Sequence, residues 1–198
     1  MSEEKLFKNR YRIRSIRLPD WDYKSDGAYF ITICVKNREC VFGKIVNGKM
    51  VLSEIGEIVQ RYWYEIPDHF DNVQLDEFVV MPNHFHGIVI ICDSRRRDVA
   101  CNVSTMACNV STGNIMSRIS PRSNSLSAII RSFKSAVSNW CHKNGFEFFQ
   151  WQSRFYERII RNEKELNFVR EYIANNPLKW DVDRNNRGNI NHKFLKND

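Results

Sequence analysis

Short apolar segments rich in β-branched and aromatic residues recur through the first half of the chain. They predict a buried strand at 28–35, a hairpin at 41–52, and a second strand pair at 73–80 and 84–91. The dipeptide Asn47-Gly48 within the hairpin is the typical signal of a tight β-turn. The pattern therefore predicts that the first half of the chain builds most of a sheet.

Apolar residues at helical spacing are interleaved with these strands. The first such repeat begins at Ser53, a candidate N-cap, and ends before Pro67. The second runs from Leu126 to near Gly145 and is amphipathic. Both repeats predict helices that lay one apolar face on the sheet.

The last third of the chain combines an extended region with a helix. Residues 146–160 (FEFFQWQSRFYERII) predict an extended or strand segment. A third helix is predicted to begin at Asn162, which forms a variant capping pair with Glu165, and to end near Pro177. Strands and helices in this order predict an α+β fold with a mainly antiparallel sheet.

Segments without such patterns divide the chain into one domain and its appendages. Residues 1–23 predict a basic arm, residues 24–180 a single folded domain, and residues 181–198 a polar, loosely held tail. Within the domain, residues of about 93–125 contain the hexapeptide ACNVST twice and predict a mobile loop.

Composition narrows the class of protein further. The 198 residues are 42% hydrophobic and carry a net charge of +7, which is typical of a globular protein with a polyanionic partner. No apolar run approaches the roughly 20 residues that span a bilayer. The first twenty residues contain no apolar secretory core, so we expect a cytoplasmic protein and no membrane.

The first candidate for chemistry is a pair of histidines within the predicted strand 84–91. His84 and His86 are two residues apart, so both imidazoles project to one side of the strand while Phe85 projects to the other. Two imidazoles on a rigid strand provide half of a site for a divalent metal. The alternative is one core histidine bonded to a carbonyl and one surface histidine, because two ligands alone do not make a metal site.

A second candidate lies on the third predicted helix. Tyr172 and Asn176 are four residues apart and therefore lie on one face. Asn176 offers a carbonyl oxygen as a third metal ligand, and Tyr172 would face the same group. The alternatives are an aromatic residue packed near Phe168 for Tyr172 and a helix-terminal residue before proline for Asn176.

Two motifs together resemble a known family. The segment LDEFVVMPNHFHGIVI and the later segment WQSRFYERIIRNEKELNFVREYIANNPLKW closely resemble the REP-associated tyrosine transposases, single-tyrosine transposases of the HUH type. The opening RSIRLPDWDYKSDGAYFITICVKNRECVFG is similar to that family as well, so the match runs from about residue 14 to residue 180. The ACNVST repeat lies between matched blocks and departs from the family.

The resemblance implies a fold, a reaction and a set of roles. It implies a ferredoxin-like antiparallel sheet, with His84, His86 and Asn176 holding a divalent metal (Mn²⁺ or Mg²⁺) and Tyr172 as the nucleophile. It implies DNA transposition on single-stranded DNA beside a palindromic hairpin, with endonuclease cleavage that leaves a 5′-phosphotyrosine link and a free 3′-hydroxyl. A homodimer in which the tyrosine helix serves the partner's histidines is open at this point, as is a monomer.

DNA binding should come from basic residues on phosphates. Six arginines are the candidates: Arg10, Arg12, Arg14, Arg17, Arg154 and Arg158. For the last two, charge pairing with Glu157 or Glu163 is the alternative. Two other functions remain open: a hairpin-binding regulatory protein that does not cleave, and a phosphoester hydrolase that uses the histidine pair.

Overall fold

The computed structural model describes residues 26–92 and 125–186. Within these residues, the strands are β1 (Gly27–Cys34), β2 (Gly43–Val46), β3 (Lys49–Leu52), β4 (Val73–Val80), β5 (His84–Ile91) and β6 (Tyr156–Ile160). The α-helices are α1 (Glu54–Tyr64), α2 (Ile66–His69), α3 (Leu126–Lys143) and α4 (Glu163–Ala174). Short 3₁₀ turns occupy Lys36–Arg38 and Pro177–Val182.

Four of the strands form one antiparallel sheet in the order β4-β5-β1-β6. Helix α1 lies between β1 and β4 along the chain, and α3 lies between β5 and β6. This is the βαββαβ arrangement of ferredoxin-like folds, so the predicted fold class is confirmed. Strand β1 lies inside the sheet and is buried along nearly its whole length, which explains its continuous apolar sequence.

The hairpin β2–β3 is inserted between β1 and α1. Its turn contains Asn47 at φ 51° and Gly48 at φ 71°, the left-handed conformations that a tight primed turn requires. Immediately after the hairpin, the Ser53 side chain accepts a hydrogen bond from the Gly56 backbone amide and caps α1. The predicted hairpin and cap are therefore both present.

The two faces of the sheet are covered differently. Helices α1 and α3 pack on one face, where a large core surrounds Trp63, Phe85 and Phe133. The other face is covered by α4 through a smaller cluster: Ala28, Phe30, Ile88, Ile160, Leu166, Val169 and Ile173. Alternate residues of β5 therefore face different cores, and the two histidines face the side of α4.

Residues 146–160, predicted to be extended or a strand, form a strand only at their end. Among the described residues, only Tyr156–Ile160 form a strand there, apart from an isolated bridge between Trp151 and Val35. The aromatic residues before the strand fill the core from an irregular loop: Phe149 is buried, and the Trp151 indole donates a hydrogen bond to the Lys134 carbonyl. Their apolar character reflects this packing, which does not require strand pairing.

Three predicted segments, the arm, the internal loop and the tail, lie wholly or mostly outside the described residues. The arm 1–23, nearly all of the loop 93–125 and residues 187–198 lie outside the described residues. Within residues 181–186, which belong to the predicted tail, the 3₁₀ turn ends at Val182 and Asn185 is 4% exposed. Among the described helices, none is long and apolar enough to cross a membrane.

Candidate active site and metal centre

The two histidines lie side by side on β5, on the face covered by α4. Antiparallel register places Thr32 of β1 opposite His86 and Cys34 opposite His84. His84 and His86 are 0% and 1% exposed, and their ring centroids are 4.6 Å apart. The spacing of two residues in a central strand thus brings both imidazoles side by side in a buried position.

Each ring has one nitrogen engaged with a neighbouring side chain. Nδ1 of His84 lies 2.8 Å from Oδ1 of Asn83, and Nδ1 of His86 lies 2.8 Å from Oγ1 of Thr32. The Nε2 atom of His84 is buried and has no hydrogen-bond partner within the described residues. A buried ring nitrogen without a partner is costly, so this atom has the environment of a metal ligand.

Burial keeps both imidazoles neutral. It lowers the pKa of His84 to about 3, with further lowering from the nearby charges of Arg38 and Arg184. It also lowers the pKa of His86 well below its ordinary value, with a smaller effect from His84. Neutral imidazoles keep a lone pair available, as metal binding requires.

Helix α4 brings Tyr172 to the same place. Its hydroxyl oxygen lies 3.5 Å from Nε2 of His86, although the two residues are 86 positions apart in the chain. The Tyr172 ring meets Phe30 edge to face, with centroids 5.9 Å apart. Tyr172 is 37% exposed, so its phenol is in contact with both the sheet and solvent.

Asn176 follows Tyr172 by one turn and is almost fully buried, at 2% exposure. Burial raises the pKa of Tyr172 above 10.0, and a hydrogen bond from the Asn176 side chain acts against this rise. The Oδ1 atom of Asn176 is itself buried without a partner among the described residues. Asn176 therefore offers the carbonyl oxygen that the predicted third ligand would supply.

A further group at the site is Asp183, which sequence reasoning missed. One carboxylate oxygen of Asp183 and one ring nitrogen from each histidine lie within 4.8 Å of one another. The 3₁₀ turn that follows α4 returns the chain to the sheet, and Trp180 in that turn stacks on the His84 ring with centroids 6.1 Å apart. The only signal in the sequence was Pro177, which predicts the end of a helix and gives no indication of this return.

The available donors fit a divalent cation. The two neutral imidazoles and the Asp183 carboxylate form a mixed nitrogen and oxygen set, and Asn176 has a buried amide oxygen without a partner among the described residues. Such a set suits Mn²⁺ better than Mg²⁺, which prefers oxygen ligands alone. The residues present are therefore consistent with the predicted cofactor class.

Helix α4 is fixed on the sheet by an ion pair as well as by apolar contacts. Nε and Nη2 of Arg170 lie 2.8 and 2.5 Å from the two carboxylate oxygens of Asp76, in bidentate geometry. Asp76 is presented by an irregularity in β4 between Leu75 and Phe78. At the start of the helix, Asn162 accepts a hydrogen bond from the Glu165 amide at 2.9 Å.

The candidate DNA-binding arginines are only partly within the described residues. Arg10, Arg12, Arg14 and Arg17 lie outside them. Arg154 is exposed, and Arg158 on β6 is paired with Glu165 at 2.5 Å, a partner other than the two that the sequence suggested. Two cations not selected from the sequence, Arg38 and Arg184, lie close enough to the histidines to lower the pKa of His84.

Known proteins resemble this chain in sequence and in fold. No protein-family model matches the chain. An uncharacterised protein of Haemophilus influenzae is 42% identical over 171 residues, covering 86% of this chain and 91% of that protein. A solved REP-associated tyrosine transposase, bound to a REP hairpin, matches with a TM-score of 0.50 at 21% identity and covers 90% of this chain and 74% of that one.

The structural similarity establishes the fold of this chain, and the sequence similarity establishes a family. The chain has the ferredoxin-like fold of the solved REP-associated tyrosine transposase, in agreement with the family that its motifs resemble. It belongs to one protein family with the Haemophilus influenzae protein, given their identity over most of both chains.

Proposed function

We propose that this protein is a tyrosine transposase, a metal-dependent endonuclease and strand transferase that acts on single-stranded DNA beside a hairpin. The observation that carries the proposal is the meeting of Tyr172 with His86, at 3.5 Å, across the interface between α4 and the sheet. The MPNHFHG and YIANNP motifs and the fold shared with a transposase bound to a hairpin support it.

The proposed reaction transfers one phosphodiester to the protein. The Tyr172 phenol oxygen attacks the scissile phosphorus, and a bond from phosphorus to tyrosine oxygen forms as the bond from phosphorus to the 3′ oxygen breaks. The departing oxygen takes the bonding electron pair and a proton to become a 3′-hydroxyl, and the phenol proton passes to solvent. Attack by a 3′-hydroxyl reverses the step and rejoins strands without ATP, because the link retains the phosphodiester's energy.

His84, His86, Asp183 and Asn176 are the residues that would hold the metal. When bound, a divalent cation supplies Lewis-acid polarisation of the phosphate and stabilises charge on the departing oxygen. The histidines contribute neutral nitrogens from the sheet, and the other two residues contribute oxygens from the segment after α4. We expect Mn²⁺ to support cleavage at least as well as Mg²⁺.

The attacking phenol must lose its proton, which burial makes harder. Burial raises the pKa of Tyr172, the hydrogen bond from Asn176 lowers it, and the opposite charges of Asp183 and Arg184 raise and lower it by smaller amounts. A phosphate bound near these groups would meet a donor and a cation beside the phenol oxygen. The exposed Arg154, just before β6, and Arg158, within β6, are proposed to contact the DNA backbone.

The test is a covalent adduct. The full chain is incubated with a hairpin oligonucleotide that carries a single-stranded flank, drawn from the DNA beside its own gene, with and without Mn²⁺. We expect a denaturation-resistant protein–DNA band with the wild type and none with Tyr172→Phe, while hairpin binding in a mobility-shift assay is unchanged. The exposed Tyr64 provides a matched control, and Tyr64→Phe should form the adduct normally.

The alternatives give different results. A hairpin-binding protein without catalysis would shift the oligonucleotide and form no adduct in any metal. A hydrolase using the histidine pair would still cleave as Tyr172→Phe, and that cleavage would exclude the tyrosine mechanism.

A further inference from the structure

Asn83 is the residue immediately before the first histidine, and it is 0% exposed. Its Nδ2 donates hydrogen bonds to the carbonyl oxygens of Arg38 at 3.0 Å and Asn185 at 2.8 Å. Its Oδ1 lies 2.8 Å from Nδ1 of His84. The buried Asn83 amide thus connects the turn after β1, the segment after α4 and His84.

These contacts determine which ring nitrogen of His84 carries the proton. Backbone carbonyl oxygens only accept hydrogen bonds, so the Asn83 amide must direct its NH₂ group toward Arg38 and Asn185. Its Oδ1 is then left facing His84, and this oxygen also only accepts. Nδ1 of His84 must therefore be the protonated nitrogen, and the lone pair of the neutral ring is on Nε2.

We propose that Asn83 is a positioning residue that assembles the candidate metal site from two sides. On the sheet side, it holds His84 as the tautomer whose Nε2 can bind a cation. On the other side, it holds the Asn185 carbonyl and so docks the segment that carries Asp183, two residues earlier. The metal part of this inference rests on the proposed function, whereas the tautomer part does not.

The turn that contains Arg38, whose carbonyl accepts a hydrogen bond from Asn83, has a strained backbone. Asn37 and Arg38 have φ angles of 56° and 54°, in the left-handed region that L-residues rarely adopt. Arg38 also donates a hydrogen bond from Nη1 to the Arg184 carbonyl at 2.9 Å. The strained turn and the segment after α4 are thereby connected at two points, through Asn83 and through Arg38.

The first test uses the metal-free protein and nuclear magnetic resonance. The ¹⁵N shifts and two-bond couplings of the His84 ring should show Nδ1 protonated in the wild type at neutral pH. Asn83→Ala should remove this preference and give a mixture or the opposite tautomer. Asn144→Ala, which removes another amide that donates to a backbone carbonyl, is the matched control and should leave His84 unchanged.

A second variant separates the two roles and guards against loss of folding. Asn83→Asp keeps an acceptor for the His84 ring but removes both amide donors. It should retain the Nδ1-protonated ring, while hydrogen–deuterium exchange in residues 177–186 becomes faster than in the wild type. An unchanged exchange rate in this segment would overturn the docking role.

The third measurement is Mn²⁺ affinity by calorimetry, with no DNA present. Loss of an orienting partner of a metal ligand typically weakens binding by about 10- to 100-fold, and we expect this for Asn83→Ala. Wild-type affinity in that variant, or an unchanged His84 tautomer, would overturn the proposal. If the wild type itself binds no Mn²⁺, the proposed metal dependence fails, and the tautomer and exchange measurements still decide the role of Asn83.

Discussion

The two faces of the sheet differ in how they are built and in what they carry. The face under α1 and α3 contains the large aromatic core, with Trp63 fully buried among Phe78, Phe85 and Phe133. The face under α4 has a smaller apolar cluster and, beside it, buried polar groups that include both histidines. Stability is therefore concentrated on one face and candidate chemistry on the other.

This division explains how the sheet accommodates the site. Neutral imidazoles and orphaned oxygens are poor contributors to a core, because burying polar atoms without partners costs free energy. The apolar residues on the opposite side of the same strands offset that cost. Residue by residue, β5 alternates between the two roles, with Phe85 in the large core between His84 and His86 in the site.

The largest loss of stability is expected from a substitution in the aromatic core. Trp63→Ala should lower the free energy of unfolding by about 3–5 kcal/mol, since it removes a fully buried indole and leaves a cavity. The measurement is urea denaturation followed by circular dichroism. Tyr64→Ala, at the adjacent position with 61% exposure, is the control and should cost less than about 1 kcal/mol. Equal losses would show that the buried indole contributes no more to stability than an exposed side chain of the same helix.

A smaller effect is expected at Gly87, the residue after the second histidine, which lies against the aromatic core. A Cβ atom there would lie 2.7 Å from a ring carbon of Trp63 and 2.8 Å from one of Phe85. Gly87→Ala should therefore cost about 1–3 kcal/mol of unfolding free energy through overpacking. In a double-mutant cycle with Trp63→Phe the cost should fall, because the nearest ring atoms are removed. Strict additivity would contradict this explanation.

The smallest effect concerns the attachment of α4. The Arg170 guanidinium holds the pKa of Asp76 below its ordinary 3.8, so the pair stabilises the fold above that pH and the contribution is lost as the pH falls through the folded-state value. Asp76→Asn should cost about 0.5–1 kcal/mol at pH 7. The difference from the wild type should shrink below pH 3.8, in denaturation curves measured from pH 7 to pH 3.

An ion pair on the other face is the comparison for this last variant. Arg61 and Glu65 of the α1 region lie 3.3 Å apart and are largely exposed. Glu65→Gln should cost at most about 0.5 kcal/mol. A larger loss than for Asp76→Asn would indicate that the bidentate pair has no special part in holding α4.

Much of this architecture can be predicted from local patterns. The strands at 73–80 and 84–91 and the cap at Asn162 agree with the structure, because period-two patterning and capping act over a few residues. The side-by-side histidines follow from the same period. Over 146–155 the structure has no strand beyond one bridge at Trp151, because Phe149 and Trp151 are apolar for packing in the core.

The rest of the candidate site depends on long-range contacts that carry no local signal. Asp183 is an ordinary acidic residue in a polar stretch, and only the return of the chain after α4 brings it to the histidines. From the sequence, Asn83 is an ordinary turn residue after Pro82. Its role depends on the carbonyls of Arg38 and Asn185, which are distant in the chain. Residue type and spacing predicted half of a candidate metal site, and the family resemblance implied the rest, whereas tertiary contacts determine how the groups are oriented.

The cap at Asn162 and the Asp76–Arg170 pair also restrict the number of residues that can separate them from Tyr172. Both fix the rotation of α4 about its axis, and Tyr172 lies beyond both of them in the same helix. One inserted or deleted residue between Arg170 and Tyr172 would turn the phenol by about 100° and move it about 1.5 Å along the axis. The spacing is therefore as restrictive as the identity of the tyrosine, and relatives with a working site should show no gaps in this stretch.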